Sequence, residues 1–191
     1  MAEYLIQERS LVEICDLLRN EFDGYDTLMG LISDRKRLIN VDIPDSVTTI
    51  GDYAFCYCYS LESVTIGDSV TTIGNFAFMF CTSLVNVNLP SGITIIPNNA
   101  FRDCRSLTDI ILSKNITNIN FRAFQDCKLL TDVYLYATTP PILQEEMAFY
   151  GCHSNLKIHV PVGSVETYKT ATNWSVYADK IIGDINVDTT E

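Results

Sequence analysis

The residue types here with chemistry to offer are seven cysteines, two histidines and an adjacent glutamate pair. Closely spaced cysteines ligate zinc, neighbouring cysteines cross-link, and a cysteine beside a histidine becomes a nucleophile. Five of the seven, Cys58, Cys81, Cys104, Cys127 and Cys152, stand 23 to 25 residues apart, and only Cys56-Tyr57-Cys58 is close. Metal sites need tighter pairs than this. Cysteines one repeat apart would lie within disulfide range by Cα distance, but with parallel Cβ vectors, so small apolar ladder residues are expected. Cys56 departs from that pattern, and Cys15 is expected in a core. His153 and His159 have no nucleophile of recognisable context nearby, and are expected to be ordinary surface or edge residues. Glu145 and Glu146 are sequence neighbours and point apart, so a solvated loop is expected after Thr138-Thr139-Pro140-Pro141. No phosphate-cradling glycine loop or nucleotide fingerprint occurs. The sequence thus predicts no catalytic residue, no metal and no cofactor.

What positions these residues is a repeat. Ala-Phe recurs at Ala54-Phe55, Ala77-Phe78, Ala100-Phe101, Ala123-Phe124 and Ala148-Phe149, at spacings of 23, 23, 23 and 25. Each cysteine of the series comes three residues after the Phe, and Leu61, Leu84, Leu107 and Leu130 three later, with Leu156 one place late. Then comes an alternating apolar pair: Val64/Ile66, Val87/Leu89, Ile110/Leu112 and Val133/Leu135, preceded by a partial copy at Leu38, Val41 and Ile43. Period two marks a half-buried strand. Turns such as Pro44-Asp45, Gly67-Asp68 and Pro90-Ser91-Gly92 follow, and then Val47/Ile50, Val70/Ile73, Ile93/Ile96 and Ile116/Ile119. One such unit cannot enclose its own apolar side chains, whereas stacked units can. Each large member buried along the stack contributes roughly 1.5–3 kcal/mol.

The pattern Ile-Gly-x-x-Ala-Phe-x-x-Cys-x-x-Leu-x-x-Val-x-Ile resembles the BspA-type leucine-rich repeat of bacterial surface proteins, over about residues 35 to 182. The resemblance implies an α/β-type repeat solenoid with a parallel strand sheet, and roles in adhesion and binding of host or matrix proteins. The segment from Val160 to Lys169, with Asn173-Trp174-Ser175 and Tyr177-Ala178-Asp179-Lys180-Ile181, looks like the terminal segment common in such proteins. Residues 10 to 20 and the glycine-containing turn after them resemble a short module of bacteriophage tail-associated proteins.

Open solenoid ends need covering. Ser10-Leu11-Val12-Glu13 reads as a capping box opening a helix over about 11–22. Ser164 is expected to cap a second helix over about 165–171, after which Trp174 and Tyr177 supply either a hydrophobic lid or a ligand platform. The organisation expected is a helical cap over 1–34, a solenoid over 35–160 with one partial and five full repeats, and a helical C-terminal cap with a frayed tail over 161–191. A net charge of −11, from 24 acids against 13 bases, disfavours nucleic acid and anionic membrane surfaces as partners. No apolar run approaches the ~20 residues of a membrane span. The first residues carry neither a basic nor an apolar leader region, so no secretory signal is expected there.

If the strands form one sheet, the residues between the buried ones make two outward rows. One is Asn40, Ser63, Asn86, Asp109, Asp132 and Lys157; the other is Asp42, Thr65, Asn88, Ile111, Tyr134 and His159. The second grows large and apolar toward its C-terminal end, so Asp109, Ile111, Asp132 and Tyr134 are the candidate binding residues. Replacing Tyr134 and Asp109 together is expected to weaken binding without lowering the melting temperature. A threonine row, Thr48, Thr71, Thr94 and Thr117, fits β-propensity alone. The function expected is a non-catalytic protein- or glycan-binding module, on a cell surface or a phage tail-like particle. A structural spacer or self-assembly element is the alternative, ahead of an unrecognised hydrolase.

Overall fold

The computed structural model describes residues 37–186. The expected N-terminal helix and Cys15 lie outside them. Successive coils each contribute a longer and a shorter strand: β1 (Asn40–Ile43) and β2 (Thr49–Ile50), β3 (Ser63–Ile66) and β4 (Thr72–Ile73), β5 (Asn86–Val87) and β6 (Ile95–Ile96), β7 (Asp109–Leu112) and β8 (Asn118–Ile119), then β9 (Asp132–Leu135) and β10 (Ile142–Leu143). β11 (Lys157–Pro161) and β12 (Ile181–Ile185) complete the series. Every pairing is parallel, and repeats 23 residues apart meet in register, as Val41 with Val64 and Ile110 with Val133. The chain is a leucine-rich repeat solenoid. The longer strands form the runs β1-β3-β5 and β7-β9-β11-β12. Gly67 N donates back to Ile43 O and Tyr136 N to Leu112 O, but the equivalent residue of the third coil is Pro90, which has no N–H to offer Ile66 O, and β5 before it is only two residues long.

Between the strand faces lies the core. Phe55, Phe78, Phe101, Phe124 and Phe149 stack face to face, with centroids 5.1, 5.3, 5.4 and 5.4 Å apart. Their backbone turns sharply, because the residues flanking each Ala-Phe pair adopt positive φ: Tyr53 and Tyr57, Phe76 and Phe80, Asn99 and Asp103, Arg122 and Asp126. Side chains other than glycine rarely accept that region. It is held here because alternate amides of the turn then point along the stack. Phe76, Phe78 and Phe80, for instance, donate to Asn98, Ala100 and Arg102 of the next coil. In the fifth coil Gly151 takes the second of these places, at φ 73°.

The cysteines form the ladder the spacing implies, with a further role. Cys81, Cys104, Cys127 and Cys152 are free thiols whose Sγ donates to the carbonyls of Phe55, Phe78, Phe101 and Phe124, at 3.1 to 3.2 Å. They add a second donor to carbonyls that already accept from the amides of Cys58, Cys81, Cys104 and Cys127. The threonine row is also more than β-propensity, since Thr71 and Thr117 donate to the carbonyls of Thr48 and Thr94 one coil back.

The C-terminal end differs from a helical cap. Among the described residues there is one α-helix, α1 (Val165–Thr170), between short 3-10 turns at Val162–Ser164 and Ser175–Tyr177. β12 then extends the sheet, pairing parallel with β11. Ser164 makes no capping bond to the helix; its hydroxyl donates to Thr138 O. Trp174 and Tyr177 are a lid: both are buried, packing tilted and edge-on against Phe149, the last ring of the stack. Polar groups of the cap reach carbonyls of the longer fifth repeat. Tyr168 Oη donates to Ala137 O, Trp174 Nε1 to Pro141 O and Asn173 Nδ2 to Leu143 O, each at 2.8 Å.

Candidate binding face

The parallel register aligns the two outward rows across the sheet. Asn40 pairs with Ser63, Ser63 with Asn86, and Asp109 with Asp132, which in turn faces Lys157. Asp42 pairs with Thr65, and Ile111 with Tyr134, which faces His159. All four candidate residues therefore lie together on β7 and β9. Ile111 is 46% exposed, while Asp109, Asp132 and Tyr134 are half-buried.

Each acid is held by its neighbour. Thr108 Oγ1 donates to Asp109 at 2.8 Å and Thr131 Oγ1 to Asp132 at 2.7 Å, fixing both carboxylates against the strand. Asp132 also takes a bond from His159, and these two bonds, the Thr131 hydroxyl first, hold its carboxyl below the usual carboxylate range. Partial burial, followed by the charges of Asp132, Asp109 and Asp184, pushes the Tyr134 phenol up.

His159 is not the ordinary edge residue expected. It is buried at 7% exposure, its ring stacked on Tyr134 with centroids 4.3 Å apart. Nε2 lies 2.9 Å from Asp132 Oδ1 and Nδ1 lies 2.8 Å from Asp184 Oδ2. The ring thus bridges two carboxylates, one at each nitrogen. The cluster ties β12 to β9 across β11. Two features obscured it in the sequence: Asp184 sits in what reads as a tail, and a histidine at the end of an outward row looks exposed until another strand covers it. The register implied by Tyr134-to-His159 was the available signal. Because Tyr134 carries the ring that packs His159, the double replacement of Tyr134 and Asp109 is expected to lower the melting temperature as well, and Ile111 is the cleaner probe.

The other candidates disperse. His153 is half-buried and its Nδ1 accepts from Asn155 N at 3.1 Å. Glu146 is exposed, whereas Glu145 is half-buried, 4.0 Å from Arg122 rather than simply solvated. Among the described residues no group of three or more His, Cys, Asp or Glu is arranged to hold a metal ion, and no helix is long and apolar enough to cross a membrane.

Solved structures share this architecture. A leucine rich cell surface protein from Faecalibacterium prausnitzii is 30% identical over 78% of this chain and 36% of its own, with a TM-score of 0.57. The leucine rich repeat protein of T. pallidum is 32% identical over 66% and 61%, at 0.60, and one from Bacteroides ovatus is 25% identical over 77% and 42%, at 0.55. The chain thus spans 36 to 61% of those proteins. No curated protein matches it. The model of the BspA type leucine rich repeat region matches residues 33–157 in six copies. With its coils, its thiol ladder and most of its length accounted for by that pattern, the chain belongs to the BspA-type leucine-rich repeat family.

Proposed function

We propose that the chain is a non-catalytic protein- or glycan-binding leucine-rich repeat module, displayed on a bacterial cell surface, which meets its ligand with the C-terminal half of the sheet face. The observation carrying this reading is the alignment of exposed Ile111 with Tyr134, between carboxylates already fixed by Thr108 and Thr131. Rigid, partly apolar surface flanked by held polar groups loses little entropy on binding. Three related structures are of leucine-rich repeat proteins, one described as a cell surface protein. Adhesin-like attachment of a cell, or receptor binding by a phage tail-like particle, are forms the same activity would take.

The test is retention of beads coated with the purified chain on a panel of immobilised matrix proteins and glycans, comparing wild type with Ile111→Ser and Tyr134→Ala. Retention by the wild type, reduced at least fivefold in Ile111→Ser with unchanged melting temperature, is the expected result. Tyr134→Ala is expected to lose retention and some stability together. Retention that survives both replacements removes the sheet face from the account.

A further inference from the structure

The outward positions of the sheet face change character between the third and fourth coils. The row that begins with neutral Asn40, Ser63 and Asn86 continues as Asp109 and Asp132. Each acid follows a threonine, Thr108 or Thr131, and two residues further along each strand stand Ile111 and Tyr134, where the second and third coils have Thr65 and Asn88. Acid pair and apolar pair therefore arrive together, on β7 and β9.

Asp109 and Asp132 are direct partners in the parallel register, on strands about 4.8 Å apart. Like charges placed opposite each other destabilise a sheet. These two are nonetheless held in place. Thr108 Oγ1 engages Asp109 Oδ2 and Thr131 Oγ1 engages Asp132 Oδ2, and Thr131 Oγ1 also reaches Thr108 O at 3.3 Å, which ties the two holders together.

The bases nearby answer one of the two acids. His159 Nε2 meets Asp132 Oδ1, and Lys157 is the register partner of Asp132 on β11. Among the described residues no base forms an ion pair with Asp109, whose Oδ2 alone is engaged, by Thr108. Asp184, its side chain 51% exposed, adds a third carboxylate, and the charges of Asp132, Asp109 and Asp184 all act on the Tyr134 phenol. Beside this acidic edge Ile111 is 46% exposed, roughly 7 Å along the strand from Asp109.

We infer that the partner met by this face is a protein segment presenting an arginine, an inference that rests on the sheet-face reading and names its ligand. A cation between Asp109 and Asp132 offsets the repulsion that the fold leaves in place. The planar guanidinium, with five donors in a fixed fork, reaches carboxylates on two strands at once, whereas an ammonium is a point charge. Long basic side chains also lay their apolar stems along apolar surface, and here the stem lies on Ile111 and the edge of Tyr134. The hydroxyls of a neutral glycan hydrogen-bond carboxylates without cancelling their charge. An anionic glycan adds to the repulsion of a chain whose net charge is already −11. Charge complementarity thus selects the basic protein.

Fluorescence anisotropy on the full chain tests this with three labelled decapeptides, identical except that two central positions hold arginine, lysine or citrulline, the neutral isostere of arginine. The arginine peptide is expected to bind, the citrulline peptide at least tenfold more weakly, and the lysine peptide in between. Asp109→Asn keeps the shape and removes the charge, and is expected to weaken the arginine peptide about tenfold, the scale of one hydrogen bond to a charged group. Asp68→Asn removes the same charge from an exposed turn of the second coil, and is expected to change affinity less than twofold. Thermal unfolding checks that both variants are folded. Equal binding of the arginine and citrulline peptides overturns the inference, as does no binding of the arginine peptide below about 1 mM. Equal losses in Asp109→Asn and Asp68→Asn overturn it in favour of a general attraction to an acidic surface, and binding abolished by EDTA overturns it in favour of a metal ion. On the panel of matrix proteins and glycans, retention lost in Ile111→Ser but kept in Asp109→Asn sinks this inference alone, whereas retention kept in both sinks the sheet face with it.

Discussion

Cys81, Cys104 and Cys127 are buried and donate to the carbonyls of Phe55, Phe78 and Phe101, and burial pushes their thiols far up from the ordinary cysteine value. The thiolate is the reactive form, so these cysteines are inert despite their number. Mass spectrometry after iodoacetamide treatment at pH 7.5 is expected to find all three unmodified in the native protein and alkylated once urea unfolds it. Alkylation at native rates near those of a free thiol would show that the ladder is open to solvent. Asp132 carries the opposite shift. Its folded-state carboxyl is held down by Thr131 and His159, so it adds stability that is present above about pH 4, the unfolded value, and lost as pH falls through the lower folded value. The melting temperature of Asp132→Asn should therefore lie below that of wild type at pH 7, with the gap narrowing toward pH 3. A gap that widens in acid would contradict the assignment. The spacing of the cysteines was legible in the sequence, but the acceptors of their hydrogens were not, because those carbonyls face inward only when the turn enters positive φ.

At the scale of the element, the phenylalanine stack is where the sequence spoke most directly. Five Ala-Phe pairs at one spacing admit little except a column, and the column carries the core. Phe101→Ala opens a cavity between Phe78 and Phe124 and is expected to cost about 3–5 kcal/mol by urea denaturation. Tyr150→Ala, at a site 60% exposed, should stay within about 0.5 kcal/mol. Equal effects at the two sites would mean that Phe101 is not in a continuous core. Less legible were elements defined by their partners. β12 falls within the expected C-terminal cap and the start of its tail: Ile181, Ile182 and Ile185, split by Gly183-Asp184, show no period-two alternation, and its strand character comes from pairing with β11. Ser164 precedes a helix and so looks like a cap, yet the six-residue helix leaves its hydroxyl nearer Thr138 O, in the lengthened fifth repeat. Propensity names a local partner, and tertiary proximity supplied another.

For the whole molecule, the repeat spreads its outward positions over many coils. Each coil touches its neighbours, the sheet repeats its outward positions, and specificity lies in which side chains occupy them. That is why the face around Ile111 and Tyr134 could be located from spacing alone, while its histidine clip could not: the clip draws on residues from three strands, and the 23-residue period predicts only that equivalents align. The same logic makes coils interchangeable. Deleting residues 85–107, one full repeat, joins Leu84 to Thr108 and keeps every column in register. Deleting residues 85–96 removes half a coil and breaks all of them. The most direct measurement is thermal unfolding of these two deletions beside the wild type, followed by circular dichroism. Stacked coils predict that the full-repeat deletion folds cooperatively, with the same strand signal per residue and a lower melting temperature, while the half-repeat deletion does not. An unfolded full-repeat deletion, or two deletions of equal stability, would contradict the stacking on which the sheet face depends.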